Sequence, residues 1–204
     1  MLGDASYFTV NLTHHLPKYL LIHISLILVL FIINFKDLIK HIKVKKRHLL
    51  VIILIFILAL HIRLSAGIAF QNSNESDWEY YMMANSLNKE ERLTFHPHTY
   101  GYPYFLSILF KLFGTDLSTV YLFNIIIGSL SVILIFLLVY KLFNNKLIGV
   151  FAAIILTILP NHIYFSRVGA SENISIFFNL LTFLILLIAV KMNSSKMYCL
   201  AFAL

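Results

Sequence analysis

Long apolar runs alternate with short polar segments along this chain. Apolar residues dominate 19–35, 49–70, 119–143, 147–159 and 173–190. A helix needs roughly 20 apolar residues to cross a bilayer, and most of these runs reach or approach that length. None shows the every-other-residue alternation of a membrane-barrel strand. Another apolar run occupies about the last eight residues before Leu204, as if the chain were the N-terminal part of something longer. The pattern predicts an all-α fold, a polytopic transmembrane helical bundle. Residues 100–113 differ, because this run is only about 14 residues long and rich in Tyr and Phe. That length suits a re-entrant or interfacial helix, and those aromatics favour the headgroup level. Gly114 is placed to end it. Residues 77–88 suit a second surface helix, with Asp77, Tyr81 and Ala84 on one face and Trp78 and Met82 on its neighbour. Outer juxtamembrane helices are therefore expected between the second and third spans.

Composition supports the class. The hydrophobic share is 60% and the charged share 12%, against about 45–50% and 25% in ordinary soluble domains. One cysteine, Cys199, excludes an internal disulfide and a cysteine metal cluster. Residues 1–18 lack the charged start, apolar core and cleavage site of a signal peptide.

The distribution of charge orients the spans. Lys36, Lys40, Lys43, Lys45, Lys46 and Arg47 follow the first run, relieved only by Asp37. Such a cluster beside a span marks the cytoplasmic side, and a short linker between two spans is poorly suited to nucleic acid. The second span then exits outward, which puts 76–103 outside. Lys141 and Lys146 place the end of 119–143 inside, and Lys191 and Lys196 do the same for 173–190. Residues 161–172 form a second outer loop. This arrangement requires that 100–113 not cross the membrane.

Candidate chemistry gathers in the outer loops. The first begins Ser76-Asp77-Trp78-Glu79-Tyr80-Tyr81 and ends His96-Pro97-His98-Thr99-Tyr100-Gly101-Tyr102-Pro103. Acids at a membrane edge are costly to keep and are functional candidates by default. On composition alone, a solvated connecting loop explains the segment equally well. Arg63 lies about seven residues inside the outer end of its span, roughly 10 Å along a helix. It either snorkels to the headgroups or faces inward as an anion ligand. His61 reads as a packed or interhelical polar residue. His96 and His98 lack the third ligand of a zinc site.

These residues carry a resemblance. The order Arg63, then Asp77-Trp78-Glu79-Tyr80-Tyr81-Met82-Met83-Ala84-Asn85-Ser86-Leu87, then Gly101-Tyr102-Pro103 and Leu112-Phe113-Gly114, is followed by Asn124, Gly128 and Leu142-Phe143. Pro160-Asn161-His162-Ile163-Tyr164-Phe165-Ser166-Arg167 and Ser171-Glu172-Asn173 complete it. The set resembles the start of a GT-C superfamily glycosyltransferase, in the style of the protein O-mannosyltransferase and aminoarabinose-transferase relatives of glycosyltransferase family 39. It covers about residues 49–195. Residues 1–48 then form an extra N-terminal span with a basic cytoplasmic loop. Residues 49–204 form the N-terminal part of a transmembrane catalytic domain.

The resemblance implies a multi-pass protein of the plasma membrane with its active site on the extracytoplasmic side. It implies transfer of a sugar from a polyprenyl-phosphate carrier to an acceptor protein or glycolipid, with membrane lipids as surroundings and no nucleic acid partner. Asp77 takes the position of the catalytic base, and a carboxylate is ionised for that task at neutral pH. Without chemistry, Asp77 or Ser76 would be an ordinary helix N-cap. Glu172 is the second acid, which otherwise serves only as a favourable helix N-terminal charge. Arg63 and Arg167 are candidates for the lipid phosphate. Glu79, Tyr81, His96 and His98 are candidate substrate contacts. Some relatives hold a divalent metal at such acids and others do not. A transporter fragment and a non-catalytic membrane subunit are the competing classes. A transporter should carry its acids near the bilayer midplane on broken helices, whereas Asp77 and Glu172 map to the outer edge.

Overall fold

The computed structural model describes residues 4–42, 46–68, 75–89 and 101–204, with the side chains of 22–42, 48–66, 79–89 and 101–204. The described residues form nine helices and no strand. These are α1 (Asp4–Ile42), α2 (Lys46–Ile68), α3 (Glu75–Asn88), α4 (Gly101–Phe113), α5 (Leu117–Phe143), α6 (Lys146–Ile158), α7 (Pro160–Phe165), α8 (Glu172–Met192) and α9 (Ser195–Ala203). Four segments are long and apolar enough to cross a membrane: Ile22–Ile42, His48–Ala66, Leu117–Phe143 and Glu172–Met192. They are the first, second, third and fifth of the apolar runs. The chain is an all-α polytopic bundle.

The fourth run, expected as an outward-going span, folds as one short helix and is not among these four. α6 has 13 residues, about 20 Å at 1.5 Å per residue, and falls short of a 30 Å hydrocarbon core. Pro160 sits at the N1 position of α7, and Leu159 before it is extended at φ −62° and ψ 115°. A residue preceding proline is pushed out of the helical region, so the break is written at 159–160.

α5 is the central helix and packs against α2, α6 and α8. Its inward face recurs every four residues as Val120, Asn124, Gly128, Val132 and Phe136, all buried. That spacing keeps them on one stripe. Val132 and Phe136 join Ile55 and Ala59 of α2, Leu184, Ile185 and Ile188 of α8, and Leu200 of α9 in one apolar core. Val120 joins Tyr80 and Ala84 of α3, Tyr102, Leu106 and Phe110 of α4, and Ile174 of α8 in a second. Asn124 and Gly128 lie between the two cores on the same stripe.

The two ends of the bundle differ in chemistry. At one end Lys191 Nζ donates to Lys141 O, Asn34 Nδ2 donates to Lys196 O at 3.4 Å, and His48 meets Tyr140 edge-on. At the other end α3 and α4 pair with each other and cover the starts of α5 and α8. Gly114 closes α4 at φ +94°, a conformation that L side chains rarely adopt. The lysines in the last turns of α5 and α8 thus share one end, and the acid-bearing starts of α3 and α8 share the other. The 39-residue α1 is part of the bundle, since it packs on α9 and buries Asn34 and Leu38.

Candidate functional site

At the end opposite the lysines, a layer of buried polar side chains joins five elements. Its centre is Arg63 on α2, whose side chain is fully buried. Arg63 follows Ile55 and Ala59 on the inward face at four-residue steps, so it is carried into the bundle with them. Its Nε donates to Ser166 Oγ at 3.0 Å, Nη1 to Ala59 O at 3.0 Å, and Nη2 to His162 Nδ1 at 2.6 Å. Nη2 also reaches Leu156 O at 3.5 Å. Leu156 stands four residues before Pro160, which has no N–H to offer its carbonyl. The arginine supplies a donor to the carbonyl that the proline break leaves open.

From Ser166 the network continues to the start of α8. Ser166 Oγ donates to His162 O at 2.6 Å and accepts from Asn173 Nδ2 at 2.8 Å. Asn124 Nδ2 donates to Val168 O at 2.6 Å and to Tyr102 OH at 3.0 Å. The turn from 166 to 171 is thereby held from α2, α5 and α8. Gly128 makes this closeness attainable, because a Cβ there would lie 2.3 Å from Ser166 Oγ and 2.8 Å from Asn173 Nδ2.

The acids frame this layer. Glu172 is the first residue of α8 and is exposed, beside the buried Asn173. Tyr80 of α3 brings its hydroxyl to 3.5 Å from Ser171 Oγ, so the start of α8 and the first turns of α3 are neighbours. Asp77 occupies the turn of α3 before Tyr80. The helix begins at Glu75, which places both Ser76 and Asp77 inside its first turn rather than at its N-cap. The side chain of Asp77 lies outside the described residues, as do His96 and His98. Glu79 is half-buried on α3. Tyr81 donates its hydroxyl to Thr115 O at 2.7 Å and packs edge-on against Phe110, tying α3 to the turn after α4. Arg167 follows α7 and is half-buried, with burial drawing its guanidinium below the ordinary range. Among the described residues no group of three or more His, Asp, Glu or Cys could hold a metal ion.

One open alternative is resolved and one expectation changes. Arg63 does not snorkel, because its face of α2 is the packed one. His61 was expected to be packed and is exposed. It stands two residues from both Ala59 and Arg63, which turns it to the opposite side of the helix. Residues given no individual role by the sequence reading complete the layer: His162, Ser166, Asn124, Asn173, Gly128 and Tyr102. Their signal was present in the four-residue stripe through Asn124 and Gly128, and in the spacing of Leu156 from Pro160.

His162 is nearly fully buried, and α7 lies beyond the spanning segments. Burial first, and then the Arg63 charge, pull its imidazole down to about 4 from an ordinary 6.5. Because Arg63 donates to Nδ1, the neutral ring carries its proton on Nε2, a buried atom without a partner among the described residues. The folded state therefore resists protonation. Between pH 6.5 and about 4 the unfolded chain binds a proton that the folded chain refuses, so stability falls as pH drops through that window. The melting temperature in detergent is expected to decline from pH 7 to pH 4.5, and His162→Gln to flatten part of that decline. Identical slopes for parent and variant would remove His162 as the cause.

A protein-family model described as dolichyl-phosphate-mannose-protein mannosyltransferase matches residues 96–204, just over half of the chain. No curated protein and no solved structure matches it.

Proposed function

The chain belongs to the dolichyl-phosphate-mannose-protein mannosyltransferase family, and from that premise we propose that it takes a sugar from a polyprenyl-phosphate carrier and delivers it to an acceptor hydroxyl on the outer face of the membrane. The observation that carries this reading is the grouping of the acid-bearing starts of α3 and α8 at one end of a membrane bundle, with Lys141, Lys191 and Lys196, which end or follow the spanning helices α5 and α8, at the other. The positive-inside rule makes the lysine end cytoplasmic. The acids then meet the lipid-linked donor at the outer headgroup level.

In the reaction the acceptor O–H attacks the anomeric carbon, the bond to the carrier's phosphate oxygen breaks, and the carrier leaves as a lipid phosphate. Asp77 is the base that takes the hydroxyl proton. Glu172, exposed at the start of α8, orients the acceptor or the sugar hydroxyls. Arg167, half-buried five residues before Glu172, suits the phosphate of the leaving group. Glu79, Tyr81, His96 and His98 are the substrate contacts proposed for the first outer loop, and Tyr81 also ties α3 to the turn after α4.

The test is consumption of donor. Natural-length protein in vesicles, given dolichyl-phosphate-mannose carrying labelled mannose, is expected to release dolichyl phosphate and label an acceptor. Donor that remains intact with every polyprenyl-phosphate sugar tried, in the presence of membrane protein and glycolipid fractions, would sink the reading. The transporter and subunit readings would then return.

A further inference from the structure

We propose that Arg63 is a positioning residue, which fastens the 166–171 turn and sets Glu172 at the start of α8 without touching substrate. This rests on Glu172 taking part in the reaction as proposed above. Arg63 and Asn173 donate to the same oxygen, Ser166 Oγ, at 3.0 and 2.8 Å. Asn173 is the residue after Glu172. One hydroxyl therefore links a transmembrane arginine on α2 to the first turn of α8. The other donors of Arg63 are directed to Ala59 O, Leu156 O and His162 Nδ1, on α2, α6 and α7. The guanidinium is fully buried and all three of its nitrogens are engaged inside the protein. It has neither the exposure nor the remaining donor geometry for a forked phosphate contact.

The arrangement also explains why arginine stands here. Three acceptors on three segments, plus one on its own helix, need donors that diverge from a rigid plane. Guanidinium provides five N–H groups in such a fork, whereas lysine concentrates three on one nitrogen. The proline break makes the clamp necessary, because it opens the Leu156 carbonyl and turns the chain at the level where α7 begins.

The experiment uses natural-length protein with Cys199→Ser as background and a reporter cysteine at Ser171→Cys, purified in detergent so that both ends are accessible. Ser166→Ala and Arg63→Lys are each introduced into it. Both are expected to raise the thiol-labelling rate at 171 several-fold, while a control cysteine at Ser195→Cys, at the lysine end, labels at the parent rate. With dolichyl-phosphate-mannose as donor, both should lower kcat by about 10–100-fold, as a displaced catalytic group does. The donor KM should stay within about twofold. If Arg63 instead binds the phosphate, Arg63→Lys raises donor KM and Ser166→Ala is silent in both readouts, which overturns the proposal. Faster labelling at 195 as well as 171 means general loosening, and also overturns it. If labelling at 171 rises alone but Glu172→Gln transfers sugar at the parent rate, the clamp stands and the part given to Glu172 falls. Arg63 would then hold the fold without positioning a reacting group.

Discussion

Asp77→Asn in the natural-length protein is expected to reduce sugar transfer by about 10²–10⁴-fold, the usual contribution of a general base, with membrane insertion unchanged. Asparagine matches aspartate in size and cannot accept the acceptor's proton. The site tolerates the change structurally, since Asp77 lies in the first turn of α3. Loss of a helix-dipole charge there costs only about 0.3–1 kcal/mol. The informative comparison is Glu79→Gln, two residues along the same helix and therefore turned about 200° away. If Asp77 is the base, the two neutralisations differ by orders of magnitude. Transfer at the parent rate by Asp77→Asn would remove Asp77 from the chemistry. Equal losses from both changes would point to the charge of the loop rather than to one proton acceptor.

Four of the five expected spans were legible because a bilayer imposes a length and an apolar composition that few other environments require. Thus 119–143 corresponds to α5 within two residues at its start. The short helices α3 and α4 were legible for the opposite reason. The run before Gly114 is too short and too aromatic to cross, and it folds as α4. The direction of Arg63 was not legible. Its depth along α2 followed from counting residues, but only packing decides which face of a nearly uniform apolar helix turns inward. Ile55 and Ala59 make that choice, and they differ little in character from the exposed Leu54, Ile57 and Leu58. The clamp was hidden for a related reason. Asn124 and Asn173 are 49 residues apart, and each reads in isolation as a lone polar residue near a helix end. Asp77 remains a matter of sequence pattern, helix position and resemblance.

Gly128→Ala is expected to destabilise the protein by about 1–3 kcal/mol, the range for overfilling a packed core, although the substitution improves helix propensity. In an exposed helix, glycine to alanine would stabilise by about 0.8–1 kcal/mol. Here the new methyl carbon would sit 2.3 Å from Ser166 Oγ, 2.8 Å from Asn173 Nδ2 and 3.1 Å from Ser166 Cβ. The hydroxyl cannot simply swing aside, because it serves Arg63, Asn173 and His162 O together. Displacing it leaves several buried groups unsatisfied, each costing about 1–3 kcal/mol in full. Relaxation of the turn recovers part of that loss. The melting temperature in detergent should fall by roughly 2–12 °C for a chain of this size. Gly149→Ala is the comparison, since its Cβ would come no closer than 3.2 Å to anything, at the Phe136 ring and at the Phe136 carbonyl oxygen, so the neighbours need to give by only tenths of an ångström. Its effect should be smaller. Adding Ser166→Gly to Gly128→Ala removes the oxygen and the carbon that clash. The pair should then cost less than the two single changes together, the signature of direct contact. Strict additivity would show that Gly128 and Ser166 do not meet in the folded protein, and the link from α2 through Ser166 to α8 would have to be redrawn.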